Sequence, residues 1–436
     1  MKSFHIITFG CQMNEHDSER MAGILKSKEY VQASDAATAD VIILNTCSIR
    51  EKAEQKFYSE LGRLRSLKQD RPGLTIAVAG CIAQQEGRNI LSRAPYVDMI
   101  LGPSDVEKVS EVSKFANTWI NPIVEIKGDP DYHRKQIPTE RTDRLKAWVS
   151  IMYGCNNFCT YCIVPYLRGR ERSRPPADVV NEVRALAEQG YKEVTLLGQN
   201  VNSYGHGGQD ATDFPGLLAL VNKVPGIERI RFVTSHPRDL SEDLIIALRD
   251  LPKVCESLHL PVQSGADPIL AAMNRKYTRA DYLARIQRLR AAVPRIALTS
   301  DIIVGFPGET EEDFTQTLQM LRDVEYDAVF AFKYSKRPGT AALKLSDHVP
   351  DDIKEARLAQ VLDLQKEISR RKNVAAVGMT FEVLVDGNSK KGGKLTGRTR
   401  GNKAVNFDGL DSLIGTLVMV RITDAGDNSL SGELCA

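Results

Sequence analysis

A chain of 436 residues exceeds what a single hydrophobic core organises, so two to three domains are expected. Its 42% hydrophobic and 26% charged residues give the balance of a soluble globular protein with ample apolar material for a substantial core. A net charge of +2 excludes a protein coated in basic residues, so any nucleic-acid contact has to come from local patches.

The first 120 residues alternate strand and helix. Phe4–Phe9 reads as a strand, Glu15–Lys28 as a helix and Asp40–Leu44 as a second strand. The amphipathic run Glu51–Lys68 and the apolar run Leu74–Ala79 follow as helix and strand. This βαβαβ rhythm predicts a parallel sheet. Residues 121–145 are rich in proline, charge and polar groups and suit a linker. Strands are then expected at Ala147–Met152, Glu193–Leu197, Arg229–Val233, Ser257–Leu260, Ile296–Val304 and Ala328–Phe332, with helices such as Ala177–Gln189 and Tyr282–Ala292 between them. Six strands in that rhythm fit a partial, TIM-like β/α barrel with its active site at the strand C-termini. A charged helix over Asp351–Asn373 closes this region. Beyond it Met379–Val385 and Leu417–Ile422 alternate as strands of a small all-β barrel. The class is α/β, with domains at 1–120, 141–373 and 374–436.

The longest apolar stretches, such as Val41–Leu44 and Ile76–Ala79, are strand-sized, and MKSFHIITFG lacks the apolar core of a signal peptide. No membrane association and a cytoplasmic location are expected. In that reducing setting eight cysteines point to metal or redox chemistry more than to disulfides.

Cys155, Cys159 and Cys162 lie within eight residues, in GCNNFCTYC, directly after the first barrel strand. A Cys-x3-Cys-x2-Cys run has room for three thiolates to wrap one iron–sulfur cube, leaving one iron open to a small molecule. The same spacing admits half of a zinc site or a redox dithiol with a spare cysteine. Cys11, Cys47 and Cys81 each fall just past the C-terminal end of a strand, at the edge where open parallel sheets collect ligands. Each alone could be a small buried hydrophobe. Together they suit a shared ligand set for a cluster with one open iron, or for a zinc ion completed by water. Cys255 and Cys435 fall outside these groups and read as structural or incidental.

In this context CNNFCTYC resembles the radical S-adenosylmethionine superfamily. The resemblance implies that Cys155, Cys159 and Cys162 hold a 4Fe–4S cluster that chelates S-adenosylmethionine and, on one-electron reduction, cleaves it to a 5′-deoxyadenosyl radical. It places Tyr161 near the adenine. It further places Gly198, Gln199 and Asn200 of LLGQN by the methionyl group, and Gly305 and Pro307 of IVGFPGET by the adenine and ribose. More narrowly, ITFGCQMNEHDSERM, LNTCSIREKAEQK and AVAGCIAQQEG are similar to the N-terminal domain of the methylthiotransferases. MYGCNNFCTYCIVPYLRGRERSR and LLGQNVNSYG resemble the tRNA-modifying branch of that family, and the C-terminal barrel is similar to the TRAM domain, an RNA-binding module. By that likeness Cys11, Cys47 and Cys81 bind a second, auxiliary 4Fe–4S cluster that carries the sulfur to be inserted.

The substrate implied is a tRNA anticodon loop, at the adenosine just 3′ of the anticodon carrying an N6-isopentenyl group. An electron donor such as flavodoxin or ferredoxin, a sulfur donor and a monomeric enzyme go with it. A threonylcarbamoyl-modified adenosine or a ribosomal-protein aspartate are rival substrates within the family. A non-catalytic zinc or iron–sulfur RNA-binding protein is the rival of another class. For RNA, the run SKKGGKLTGRTRGNK offers Lys390, Lys391, Lys394, Arg398, Arg400 and Lys403 without an acid, and Arg168 and Arg170 open a second basic run behind the cysteine triplet. A charge run is usually only a solvated loop, and placed in a small β-barrel it fits a phosphate-tracking surface better; the second run serves either RNA phosphate or cofactor.

Overall fold

The computed structural model describes residues 1–47, 51–116, 121–129, 131–206, 212–390 and 392–435. The chain forms two units. The first comprises Met1–Arg144, Trp148–Asn156 and Cys162–Pro175, and the second Leu145–Ala147, Asn157–Tyr161 and Pro176–Ala436.

In the first unit the elements run β1 (Ser3–Phe9), α1 (Gln12–Ser27), β2 (Val31–Gln32), β3 (Val41–Thr46), α2 (Glu51–Asp70), β4 (Thr75–Gly80), α3 (Cys81–Glu86), α4 (Asn89–Arg93), β5 (Met99–Leu101) and β6 (Ile123–Glu125). The strands form one sheet in the order β2-β1-β3-β4-β5-β6, every pairing parallel. Each residue of β3 and β4 is buried, as expected of central parallel strands covered on both faces, and this is why both read as apolar runs. Helix α2 lays Phe57, Leu61 and Leu64, spaced at one helical face, into the core beneath the sheet.

Helix α1 departs from the usual amphipathic pattern, because its polar residues Asn14, His16, Asp17, Glu19 and Arg20 are all buried. The proline-rich stretch read as a linker supplies partners for two of them, Glu19 and Arg20. Glu19 accepts hydrogen bonds from the Thr142 amide and hydroxyl, both at 3.1 Å, and pairs with Arg141 at 3.3 Å. Arg20 donates to the hydroxyls of Tyr132 and Tyr153. At Gly23 a Cβ would meet the Pro138 carbonyl oxygen at 2.3 Å, so only glycine lets this stretch pack so closely. Strand β7 (Lys146–Ser150) is divided between the two units, and the short antiparallel pair β8 (Met152–Tyr153) with β9 (Arg172–Ser173), with α5 (Val164–Leu167) between them in sequence, completes the first.

The second unit carries α6 (Pro176–Glu188), β10 (Glu193–Leu197), α7 (Phe214–Asn222), β11 (Arg229–Phe232), α8 (Glu242–Asp250), β12 (Ser257–His259), α9 (Asp267–Ala272), α10 (Arg279–Ala292), β13 (Ala297–Val304), α11 (Glu311–Val324) and β14 (Ala328–Lys333). Strands β10 and β11 pair in parallel, as do β12, β13 and β14, and a parallel bridge from Ile230 to Val254 carries the array from one group to the next. Capping boxes at Thr278/Asp281 and Thr310/Asp313 start α10 and α11 by satisfying their first free amides.

After α12 (Asp351–Val374), strands β15 (Thr380–Asn388), β16 (Leu395–Thr399), β17 (Ala404–Phe407), β18 (Leu417–Ala425) and β19 (Ser429–Leu434) close a barrel in the order β15-β16-β17-β19-β18. Val383, Val385, Leu395, Val405, Phe407, Val420, Ile422 and Leu430 fill it. Three cation contacts, two of them buried, fasten this barrel to the β/α array. The guanidinium of Arg229, fully buried, donates to the Arg398 carbonyl at 2.6 Å and to Glu382 at 2.9 Å. Arg231 pairs with Glu193 at 2.9 Å and donates to the Thr399 and Arg400 carbonyls. Arg400 pairs with Glu256 at 2.6 Å. Among the described residues no helix is long and apolar enough to cross a membrane.

Candidate functional site

The sheet of the first unit sets its cysteines by register. Phe9 lies opposite Thr46 and Thr46 opposite Gly80, so Cys11, Cys47 and Cys81 follow three adjacent strand ends. Two glycines make the approach possible. Gly10 has φ +140°, and a Cβ on it would stand 2.4 Å from Cys47 Cβ. Gly80 has φ +91°, with the Asn45 and Thr46 oxygens 2.4 and 2.6 Å from any added Cβ. Below the thiols, Cys11 Sγ donates to Asn14 Oδ1 at 3.2 Å, Asn14 Nδ2 to Asn45 Oδ1 at 3.1 Å, and Asn45 Nδ2 to Ser18 Oγ at 2.9 Å.

Cys47 is the central thiol, hydrogen-bonded to Cys11 on one side and to Cys81 on the other. Cys47, bonded to both neighbours and buried, has its pKa pushed well up. The bond from Cys47, followed by the charge of Arg168, brings Cys11 down to about 6 and Cys81 down to about 7. Arg168 is buried at this edge, its Nη2 3.0 Å from Asp17 Oδ2, with Asp17 wholly enclosed. Nη1 of Arg168 and Oδ1 of Asp17 are buried without hydrogen-bond partners. No group of three His, Cys, Asp or Glu side chains among the described residues is spaced for a single metal ion. What the edge offers is three side-by-side thiols, two of them acidified, beside a buried cation. That donor chemistry fits an iron–sulfur cluster, which requires thiolates and gains from nearby hydrogen-bond donors.

The second cysteine group lies on the loop behind β8. Cys155 and Cys159 are buried and Cys162 is half-buried. Gly154, at φ +75°, lets the chain pass where a Cβ would meet the Arg170 carbonyl at 2.1 Å, and the Cys155 amide donates to the Gly169 carbonyl at 3.2 Å. In the second unit, residues 157–161 hang on the end of α9. The Thr160 amide donates to the Met273 carbonyl at 3.1 Å and Asn274 Nδ2 to the Phe158 carbonyl at 3.0 Å. Arg275 is the organiser here. It donates to Cys159 Sγ at 3.4 Å, to the Tyr161 hydroxyl at 3.2 Å, to the Tyr277 hydroxyl at 2.9 Å and to the Pro261 carbonyl at 2.6 Å. An N–H aimed at the sulfur of Cys159 suits a thiolate bound to iron.

Around the strand C-termini of the second unit, Asn200 is buried, its Nδ2 2.7 Å from Asp239 and its Oδ1 without a partner. Gly198 is buried and Gln199 partly so. Gly305 (φ +69°) donates its amide to Glu309 Oε2 at 2.6 Å, and Arg357 of α12 grips the same carboxylate at 2.7 Å, bracing the turn that holds Pro307. His236, between Asn202 and the ring of Tyr277, is held neutral by burial and by Arg275, its pKa brought down to about 2.

Of the basic residues, Arg168 faces the strand-end thiols and not the surface. Arg400 and Lys403 turn inward, Lys403 reaching Asn373 at 2.6 Å and Asp327 at 3.3 Å. Arg170, Lys390, Lys394 and Arg398 are exposed, with Lys394 3.5 Å from Asp408 and Arg398 donating to the Asn402 carbonyl at 3.2 Å. Lys391 lies outside the described residues. Cys255 is buried beside Arg231, and Cys435 is exposed. Sequence reasoning missed Arg275, Asp17 and the Glu309–Arg357 brace. Asp17 and Glu309 left only a trace, each lying inside a motif quoted above.

Comparison with known proteins agrees with this anatomy. Residues 3–102 match the Uncharacterized protein family UPF0004, residues 149–321 the Radical SAM superfamily and residues 375–435 the TRAM domain. Among solved structures, the radical S-adenosylmethionine methyltransferase TsrM from Kitasatospora setae is similar in fold, with a TM-score of 0.57 at 14% identity over 79% of this chain and 77% of that one. The Radical SAM match implies S-adenosylmethionine and a 4Fe–4S cluster. The tRNA-2-methylthio-N(6)-dimethylallyladenosine synthase of Thermodesulfovibrio yellowstonii is 50% identical over 99% of both chains. Its namesake in Acetivibrio thermocellus is 51% identical over 99% of this chain and 91% of its own. With that identity over its whole length, the chain belongs to the methylthiotransferase family of tRNA-2-methylthio-N(6)-dimethylallyladenosine synthases.

Proposed function

We propose that this chain inserts sulfur and a methyl group at C2 of an N6-dimethylallyl adenosine beside the tRNA anticodon. The observation that carries the reading is the convergence of Cys11, Cys47 and Cys81 on adjacent strand ends, in a chain that also has the radical SAM cysteine triplet. Cys155, Cys159 and Cys162 would hold the cluster that binds S-adenosylmethionine, and Cys11, Cys47 and Cys81 an auxiliary one. When bound, these groups supply a hydrogen-abstracting radical and an iron that accepts sulfur, chemistry that acid–base side chains lack.

The protein's own part is to place and tune. Arg275 fixes Cys159 and Tyr161 together, so the residue proposed to face the adenine of the cofactor cannot drift from its cysteine. Arg168 offsets the negative charge of the thiolates at the sheet edge, and Asp17 holds it there. Gly198, Gln199 and Asn200 are proposed to meet the methionyl group, with the unpartnered Oδ1 of Asn200 as an acceptor. Gly305 and Pro307, on the turn braced by Glu309, are proposed to border the adenosine moiety. Arg170, Lys390, Lys394 and Arg398 are the basic residues offered to RNA phosphate, an electron donor of the flavodoxin or ferredoxin kind and a sulfur donor complete the system, and the enzyme works as a monomer.

Anaerobic reconstitution tests this. The unmodified protein should hold about eight irons and methylthiolate a prenylated anticodon stem-loop. Cys47→Ala should hold about four, make no methylthio product, and still release 5′-deoxyadenosine on reduction. Unchanged iron content in Cys47→Ala would refute the second cluster. Retained methylthiolation would refute the mechanism.

A further inference from the structure

Parallel strands of a β/α array are normally covered on both faces. Strand β14 is an exception. Its alternate residues Phe330 and Phe332 are 52% and 38% exposed, and they share one face. The opposite face is the helix side, where α12 packs and Lys333 pairs with Glu355 at 2.8 Å. The two rings therefore look away from the helices, into the inside of the array.

Their neighbours across the sheet are one polar and one apolar residue. Asp301 of β13 lies opposite Phe330, and Ile303 opposite Phe332. His259 of β12 is partly exposed, its Nδ1 2.9 Å from the Thr299 hydroxyl and its Nε2 3.6 Å from Asp301 Oδ2. The imidazole meets Phe330 edge to face, with centroids 6.0 Å apart. Toward the strand C-termini the face approaches the candidate site, because Ile303 and Tyr161 pack on one hydrophobic cluster and Arg275 links Tyr161 to Cys159.

We infer that this inner face, formed by Phe330, Phe332, His259 and Asp301, is the seat of the target base, with Phe330 gripping the dimethylallyl chain and the His259–Asp301 pair meeting the purine. The inference rests on the function proposed above. An exposed pair of aromatic rings suits a branched apolar alkenyl group, and a polar imidazole and carboxylate beside them suit a heteroaromatic ring that must be held in one orientation. An apolar seat rewards the prenyl group and leaves an unmodified adenosine with less to bury, so the same face sets substrate choice.

The test is the preference of the reconstituted, full-length enzyme for a prenylated over an unprenylated anticodon stem-loop, read both as dissociation constants by fluorescence anisotropy and as kcat/KM. Phe330→Ala should lower that preference about tenfold or more, whereas Phe330→Leu, which keeps an apolar side chain, should keep most of it. Because Phe330 is half-exposed, the alanine variant should melt close to the parent. An unchanged preference in Phe330→Ala, or a parent enzyme that binds both RNAs alike, overturns the seat. A parent that prefers the prenylated RNA and loses this in Phe330→Ala, yet forms no methylthio product, supports the seat and overturns the reading of function.

Discussion

The cysteine edge of the first unit and the basic turn of the C-terminal barrel are equally conspicuous in the sequence, and they end up differently. Cys11, Cys47 and Cys81 stand where the strand pattern puts them, since a thiol with one rotatable bond to the main chain goes where the register takes it. The basic run divides. Lys390, Lys394 and Arg398 are exposed, while Arg400 and Lys403 reach back to Glu256 and Asp327. A long flexible cation points to whichever acid the fold brings near, and those acids lie 144 and 76 residues away in sequence. Short ligands on regular strands are thus readable, and long side chains on turns are not.

The first half of that comparison breaks most sharply at Gly10. An alanine there has to adopt φ +140° and place its Cβ 2.4 Å from that of Cys47. Strain and overpacking together should cost about 2–4 kcal/mol of stability. The displaced thiol should also empty the edge of iron and abolish methylthiolation. Thermal melting and iron analysis check both. Gly73→Ala, where nothing lies within 4 Å, is the control and should be nearly silent. If Gly10→Ala keeps its iron, close backbone approach is not what builds the site.

The second half breaks at Arg229. Removing this fully buried guanidinium strips donors from the Arg398 carbonyl and from Glu382. Glu382 is 34% exposed and can rehydrate, so the loss should sit near the low end of a buried pair, about 3 kcal/mol. Urea unfolding of Arg229→Ala measures it. A loss below about 1 kcal/mol would mean that the barrel is not fastened by this contact.

How far the sequence is legible follows the same physics. Strand Glu193–Leu197 appears at its expected bounds, and the other predicted strands lie within a few residues of theirs, because apolar runs between turn residues mark buried parallel strands. Strands β5 and β6 are too short to show a pattern. The stretch 121–145 reads as a linker from composition alone, yet Tyr132, Arg141 and Thr142 are there to satisfy buried Arg20 and Glu19. A polar segment whose partners are buried charges looks like a loop until the other side is known. Arg275 is hidden for the same reason. Nothing local marks an arginine whose contacts are a cysteine 116 residues away and a tyrosine 114 away.

The smallest effect separates the two kinds of cation directly. Lys390 is exposed on the barrel, so Lys390→Ala should weaken tRNA binding about two- to threefold at moderate salt. It should also reduce the slope of log K against log salt by about 0.7, the loss of one phosphate contact on single-stranded RNA. Arg400→Ala should do the opposite. It removes a charge already spent on Glu256 and the Val254 carbonyl, so affinity and salt slope should hold while stability falls by about 2 kcal/mol. Anisotropy titrations across a salt series, paired with melting curves, read both. A salt slope that drops in Arg400→Ala and holds in Lys390→Ala would show that the inward-facing turn opens to meet RNA, and that the division between exposed and fastened cations does not survive binding.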